Sequence, residues 1–264
     1  MSRSNISLYE EKTIYNQPSK YDKRKRVLLI DGDSILYSAN YKSEDDIEKC
    51  KYKIHNKIQQ ITLAVEQSYN IIQTTIFVGG DNNFRYEIYP KYKSNRDGKH
   101  ENIAILHKYM VEELGAIKSV YGEADDSIYT AVLMARGYCV VASNDKDLKS
   151  FIYGCPIYNY QTSEKYIGGY DILTKDETIH NFVCQLMTGD SGDGVNLSPG
   201  IGPKYCEEAI YEGMSVYEYS KQLLLAYIKA WKGDIKKAKD KIRLCYKLLK
   251  LYDIREINLE NQLK

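Results

Sequence analysis

The sequence predicts an α/β protein, with a mostly parallel sheet flanked by helices, followed by an all-helical region. Three observations carry this. Short apolar runs bounded by turn residues alternate with stretches of helical spacing up to about residue 170, the pattern of a parallel sheet covered on both faces. Three of these runs lead into an acidic residue, Asp31, Asp81 and Asp145. From about residue 177 the spacing is helical, with one strong break at Leu197-Ser198-Pro199-Gly200-Ile201-Gly202-Pro203.

Taken in order, residues 1–25 are polar and basic at their end, and read as a flexible arm. Val27-Leu28-Leu29-Ile30, ending at Asp31, is a continuous apolar run of the kind that forms a strand buried on both faces. Residues 47–69 space Ile47, Ile54, Ile58, Ile61 and Val65 along one helical face. Thr75-Ile76-Phe77-Val78 is a second buried strand, stopped by Gly79-Gly80-Asp81. Residues 103–115 and 124–136 are helical, and Tyr138–Ala142 is a third strand running into Ser143-Asn144-Asp145. Residues 156–168, with turn-like Thr162-Ser163, read as a hairpin. The α/β core thus spans 26–176 and the helical region 177–264.

Composition excludes several classes. No apolar run approaches the roughly 18 residues that span a bilayer, and the N-terminus lacks the apolar core of a secretory signal, so no membrane contact and a cytoplasmic location are expected. The six cysteines are scattered without a C-x-x-C pair, which argues against a zinc site or redox motif and for buried, reduced thiols. The 26 tyrosines reflect codon bias more readily than base stacking.

The three strand-end acids face the edge where ligands of parallel sheets bind. Others join them. Glu123, Asp125 and Asp126 open a helix, Asp147 follows Asp145 by two, and Asp190 and Asp193 stand i,i+3 in a Gly-rich turn. Each group alone reads as a helix start or a turn. Nine carboxylates directed into one crevice, however, repel one another unless cations neutralise them. Oxygen ligands without spaced histidines select Mg2+, with Mn2+ as a substitute. Nine exceed the needs of one ion, so two are expected, which makes phosphodiester hydrolysis the natural reaction. Setting these nine aside leaves 27 acidic residues against 37 Lys and Arg, a basic remainder suited to a polyanion.

Six segments then occur in order: Asp31-Gly32-Asp33-Ser34, Tyr92-Lys93-Ser94-Asn95-Arg96, Gly122-Glu123-Ala124-Asp125-Asp126, Ser143-Asn144-Asp145-Lys146-Asp147, Gly189-Asp190-Ser191-Gly192-Asp193 and Pro199-Gly200-Ile201-Gly202-Pro203-Lys204. Together they resemble the 5′ nuclease (flap endonuclease) superfamily over roughly residues 27–250, above all the bacteriophage 5′-3′ exonucleases and the 5′ nuclease domain of bacterial DNA polymerase I. The resemblance implies a PIN-like core followed by a helix–three-turn–helix region, and two-metal hydrolysis of DNA near a 5′ end, at flaps, nicks or duplex ends. It makes Asp31, Asp81, Glu123, Asp125, Asp126, Asp145, Asp147, Asp190 and Asp193 the metal ligands. It places Lys93 and Arg96, at the start of a helix, on the scissile phosphate, and Tyr92 on the terminal base. Gly200, Gly202 and Lys204 would hold a duplex phosphate and a K+ ion, the glycines by close backbone approach and Pro203 by opening a helix. Replication proteins are candidate partners of an expected monomer, in the host cytoplasm if the gene is a phage's. The arch expected at about 93–120 is short, which bears on the balance of exonuclease and flap endonuclease. A PIN-like ribonuclease and a non-catalytic binder of DNA structures are the alternatives.

Overall fold

The computed structural model describes residues 21–39, 46–95, 101–161 and 169–257. The arm up to residue 20, Arg96 and the Thr162-Ser163 turn lie outside the described residues. The apolar run at 27–30 is the inner half of strand β1, Asp22–Asp31, so the chain becomes regular inside the segment expected to be an arm. Asp22 anchors that start by pairing with Arg24 and Arg26.

Helix α1 (Gly32–Ala39) follows directly, then α2 (Ile47–Glu66), β2 (Tyr69–Val78), α3 (Phe84–Ile88), α4 (Glu101–Glu112), β3 (Ile117–Lys118), α5 (Ala124–Ala135), β4 (Cys139–Ala142), β5 (Ile157–Asn159) and β6 (Gly169–Asp171). The helical part comprises α6 (Lys175–Thr188), α7 (Pro203–Ala209), α8 (Val216–Ala230) and α9 (Ile235–Leu249). The strands form one six-stranded sheet in the order β3-β2-β1-β4-β5-β6. All neighbours are parallel except β5 and β6, whose antiparallel pairing is the expected hairpin.

Because successive side chains of a strand point to opposite faces, β1 serves two cores. Leu28 and Ile30 pack with Ile54, Ile61 and Val65 of α2 and Leu106 and Met110 of α4. Leu29 packs on the other face with Ile128 and Val132 of α5 and Val141 of β4. That double burial is why this strand reads as an unbroken apolar run. A third core lies among α6–α9, around Leu186, Met187, Leu223, Tyr227, Cys245 and Leu248. The buried Tyr227 hydroxyl donates to Leu186 O at 2.8 Å. Reciprocal Thr174–Glu177 and Ser215–Glu218 capping fixes the starts of α6 and α8.

Two expectations change here. Cys184 on α6 and Cys206 on α7 are joined in a disulfide with a Cα–Cα distance of 5.9 Å; 22 residues apart in sequence, they offered no pairing signal. Cys50, Cys139, Cys155 and Cys245 are free and buried as expected. Lys93 does not open a helix. It sits in a turn with φ 53°, and its N–H donates to Asp193 O at 2.8 Å. Among the described residues, no helix is long and apolar enough to cross a membrane.

The α/β and helical parts are pinned together by one side chain. Arg85 of α3 is 1% exposed. Its guanidinium donates to both oxygens of Asp126 on α5, at 2.7 and 3.0 Å. It also donates to Leu248 O and Lys250 O at the end of α9, both at 2.8 Å. Phe84 and Tyr252 lie against it, 4.7 and 5.9 Å from the guanidinium carbon to the ring centres. Removing one partner of a buried ion pair leaves the other uncompensated. Arg85→Met is therefore expected to lower unfolding stability by about 3–5 kcal/mol, measured by urea denaturation of the metal-free protein; a loss below 1 kcal/mol would show that the pin is dispensable.

Candidate metal centre

A cavity of about 370 Å3 opens at the C-terminal edge of the sheet, where β1 and β4 meet α5, the 190–195 turn and the end of α9. Glu123, Asp125, Asp145, Asp147, Asp190 and Asp193 line it, with Tyr92 and Lys93. Asp31 lies behind them at 3% exposure. It is fixed by hydrogen bonds from Ser34 Oγ at 2.5 Å and Ser143 Oγ at 2.7 Å. Seven of the nine predicted carboxylates therefore belong to this place.

Local sequence explains each position. The apolar β1 run delivers Asp31. Ser143 Oγ receives the Asp145 N–H, and Asp145 Oδ1 receives the Asp147 N–H at 2.8 Å, so the chain after β4 turns back over its own end. Asp190 and Asp193 sit in a closed turn. Asp190 and Val195 exchange both backbone hydrogen bonds at 2.8 Å, and the Asp193 N–H donates to Asp190 Oδ1 at 3.0 Å. Gly189 has φ +74°, and a Cβ there would lie 2.1 Å from Val195 O, so this turn demands glycine.

Crowding sets the electrostatics. Burial, together with the charges of Asp31, Asp145 and Glu123, pushes the Asp125 carboxyl well above its usual range. Burial and the nearby Asp31 and Asp193 raise Asp145, although the Asp147 N–H works the other way. Asp147 is pushed up to about 7 by burial and by Asp145, Asp190 and Asp193. Glu123 goes the opposite way. Burial disfavours its charge, but the Lys93 and Arg85 cations and hydrogen bonds from Lys93 and Tyr92 hold its pKa down. The Lys93 ammonium bonds Glu123 Oε1 and stands 3.7 Å from Asp193 Oδ1.

Three site residues lie elsewhere or act differently than expected. Asp126 is fully buried and its carboxylate already accepts four hydrogen bonds, two from Arg85 and one each from Glu123 N and Tyr252 N. It is a structural group and not a metal ligand. Asp81 follows the Gly79-Gly80 turn, where Gly80 approaches Ser119 O so closely that a Cβ would be 2.0 Å away. That bend carries Asp81 out to Lys118 with its side chain 80% exposed, away from the other acids. Tyr92 is 2% exposed, so its ring is not available to stack on a base. Its hydroxyl hydrogen-bonds Asp193 Oδ2 at 2.6 Å and Glu123 Oε2 at 3.1 Å, bridging two carboxylates. Arg96 lies outside the described residues. Gly200 and Lys204 are exposed and Gly202 is half-buried; Gly200 has φ +81°, and a Cβ on either glycine meets nothing within 4 Å, so the turn is open to the outside. Pro203 occupies the first turn of α7.

Sequence reading missed Arg85, the two serines behind Asp31, and Asn83, whose amide donates to Glu123 Oε1 at 3.0 Å. Asn83 before α3 carried a cap signal; a lone Arg and two serines carried none.

The donor set suits a hard divalent cation, since it is built from carboxylate oxygens whose mutual repulsion only positive charge relieves. Among the described residues, no three Asp, Glu, His or Cys side chains converge into a finished ligand cage. The crowding itself is therefore what fits the site to metal.

The family model for the 5′-3′ exonuclease N-terminal, resolvase-like domain matches residues 26–181, more than half of the chain. The chain belongs to the 5′-3′ exonuclease family. A 5′-3′ exonuclease of Buchnera aphidicola subsp. Schizaphis graminum is 31% identical over 207 residues, covering 70% of this chain and 69% of that protein. The flap endonuclease Xni of a Shewanella species is 25% identical over 249 residues, covering 89% and 92%. In fold, the chain resembles the bacteriophage T5 flap endonuclease in a pseudo-enzyme–product complex with DNA and metal ions, with a TM-score of 0.58, 20% identity and coverage of 86% and 89%. Like that family, the chain combines a mostly parallel sheet with a helical C-terminal region.

The raised carboxylates have a thermodynamic consequence. A carboxyl whose folded pKa lies above its unfolded value stabilises the fold below the unfolded pKa and loses that contribution as pH rises through the folded one. With Asp147 at about 7 and Asp125 and Asp145 also raised, the melting temperature of metal-free protein should fall between pH 5.5 and 8. Added Mg2+ should recover more at pH 8 than at pH 5.5. Differential scanning fluorimetry reads both, and a flat or rising metal-free profile would contradict the crowding.

Proposed function

We propose that the chain is a structure-selective, divalent-metal-dependent 5′ nuclease that hydrolyses DNA phosphodiester bonds at 5′ flaps, nicks or duplex ends. The observation that carries this reading is the cavity in which six carboxylates share a wall with Lys93. Family membership supports the reaction, and the printed activity of the Xni and Buchnera relatives supports the substrate class.

The carboxylates divide by mutual charge into two groups. Asp31, Glu123 and Asp145 act on Asp125, while Asp145, Asp190 and Asp193 act on Asp147. Asp145 belongs to both, which favours two ions held side by side, Mg2+ or Mn2+, with Asp145 between them. Such a pair supplies an activated water and stabilises both the attacking and the leaving oxygen. The protein's own groups do the rest. Tyr92 and Asn83 orient Glu123, and Ser34 and Ser143 orient Asp31. Lys93 carries the positive charge that meets a phosphate entering the cavity, with Arg96 as its proposed second cation. The open Gly200–Gly202 turn with Lys204 is the proposed duplex-phosphate contact, and the proposed place for K+.

The test is cleavage of 5′-labelled flap, nicked and blunt DNA in Mg2+, beside matched RNA. Asp125→Asn and Asp145→Asn should each lower the rate by more than the roughly 100-fold that follows loss of an outer-shell partner, with DNA binding retained. Cleavage by both variants at the parent rate would refute the site. Faster cutting of RNA than DNA would refute the substrate.

A further inference from the structure

A second cavity, also of about 370 Å3, opens beside the first on the other side of the end of β1. Asp33 and Tyr37 of α1, the Gly79-Gly80 turn, and Ile103 and His107 of α4 form its walls, and Lys118 stands at its rim. Asp31 and Asp33 are two residues apart, so their Cα atoms are separated by at most about 7 Å. Their carboxylates nevertheless face opposite ways. Asp31 turns to Ser143 after β4, whereas both oxygens of Asp33 accept the Gly79 N–H after β2 at 3.1 Å. The two cavities are thus one nucleotide step apart along the sheet edge.

The chemistry of this second cavity is that of a base-reading pocket. Ile103 is buried and Tyr37 is half-exposed, so the walls pair an aliphatic surface with an aromatic one. Since a carbonyl only accepts, His107 Nε2 donates to Gly79 O at 2.8 Å, leaving Nδ1 an acceptor in the neutral ring. The Gly79 N–H fixes Asp33, whose carboxylate keeps acceptor capacity on each oxygen. A pocket dominated by acceptors selects a base edge dominated by donors, and guanine is the base whose pairing edge carries two adjacent ones. Lys118 supplies a cation for the attached phosphate. A cavity of this volume admits one nucleotide and no duplex.

We propose that this cavity holds a guanine nucleotide joined in the strand to the phosphate lying over the carboxylates, with Asp33 reading the base edge. The strand assignment rests on the nuclease reading above. The experiment has two arms with the full chain. In the first, DNA substrates carry each of the four bases at the two positions flanking the cut. Guanine at one of them should be cut at least about fivefold faster than thymine, the lower end of what a bidentate contact discriminates. Ala104→Trp, at an exposed position on the cavity wall, and Asp33→Asn should abolish the preference, with Ala104→Trp still cutting thymine-flanked DNA at the parent rate. In the second arm, free dGMP and dTMP are titrated calorimetrically into metal-free protein; dGMP should bind, dTMP should not, and Ala104→Trp should lose dGMP. No cleavage of any substrate would sink the nuclease reading while the calorimetry still tests the cavity. Cleavage without base preference and without dGMP binding would overturn the pocket. Binding of dGMP without base preference would overturn the strand assignment and leave a free nucleotide as the ligand.

Discussion

The guanidinium of Arg85 lies wholly inside the protein, between the Asp126 carboxylate and the last carbonyls of α9. Three separate stretches of chain meet there: the segment after β2, the first turn of α5, and the end of the helical region. Asp126 is the N3 residue of α5, and its Oδ2 also takes the N–H of Glu123 at the helix start. The same ion pair that docks the helical region therefore fixes the entry to α5, and with it the positions of Glu123 and Asp125. A buried charge pair adds little net stability over a well-packed apolar substitute. Its value here is positional, because four directed hydrogen bonds to the carboxylate define a unique arrangement that apolar contacts leave free.

Around that pin, the structure gathers negative charge that folding alone disfavours. Glu123 is eased by Lys93 and Arg85, and Asp31 by serine hydroxyls, but Asp125, Asp145 and Asp147 face one another. A site of this kind is unfavourable in the metal-free fold and favourable in the metal-bound one. That difference makes affinity for divalent cations an expected property of the chain and not an incidental one. Tyr92 illustrates how the strain is contained. Its buried hydroxyl touches both Glu123 and Asp193, tying the α5 group to the 190–195 turn that would otherwise be pushed away.

Much of this was legible in the sequence. The β1 run, β4 and the α5 pattern announced a parallel sheet, and strand-end acids announced the edge where the site lies. Seven carboxylates came out together because their positions follow from local chain geometry: strand ends, a helix start, a glycine-closed turn. Asp126 and Asp81 did not, for reasons outside local geometry. Asp126 has the same spacing as a ligand, but its partner is Arg85, 41 residues earlier, and nothing in the spacing distinguishes an acid neutralised by a cation from one awaiting a metal. Asp81 ends a strand as Asp31 does, yet the tight approach of Gly80 to Ser119 carries it outward. Tyr92 was assigned to a base because aromatics beside basic residues stack on nucleic acid; its burial is a tertiary fact. The Cys184–Cys206 bond likewise depends on how α6 and α7 meet.

The claim that separates pin from ligand is that Asp126 acts through Arg85 while Asp125 acts through metal. Calorimetric Mn2+ titration and urea unfolding of Asp126→Asn and Asp125→Asn, side by side with the parent, test it most directly. Asp126→Asn should unfold at lower urea but, while folded, bind Mn2+ with affinity within a few-fold of the parent. Asp125→Asn should lose Mn2+ affinity and, relieved of its repulsion, resist urea at least as well as the parent in the absence of metal. The reverse pattern, with metal affinity lost in Asp126→Asn at unchanged stability, would contradict the account.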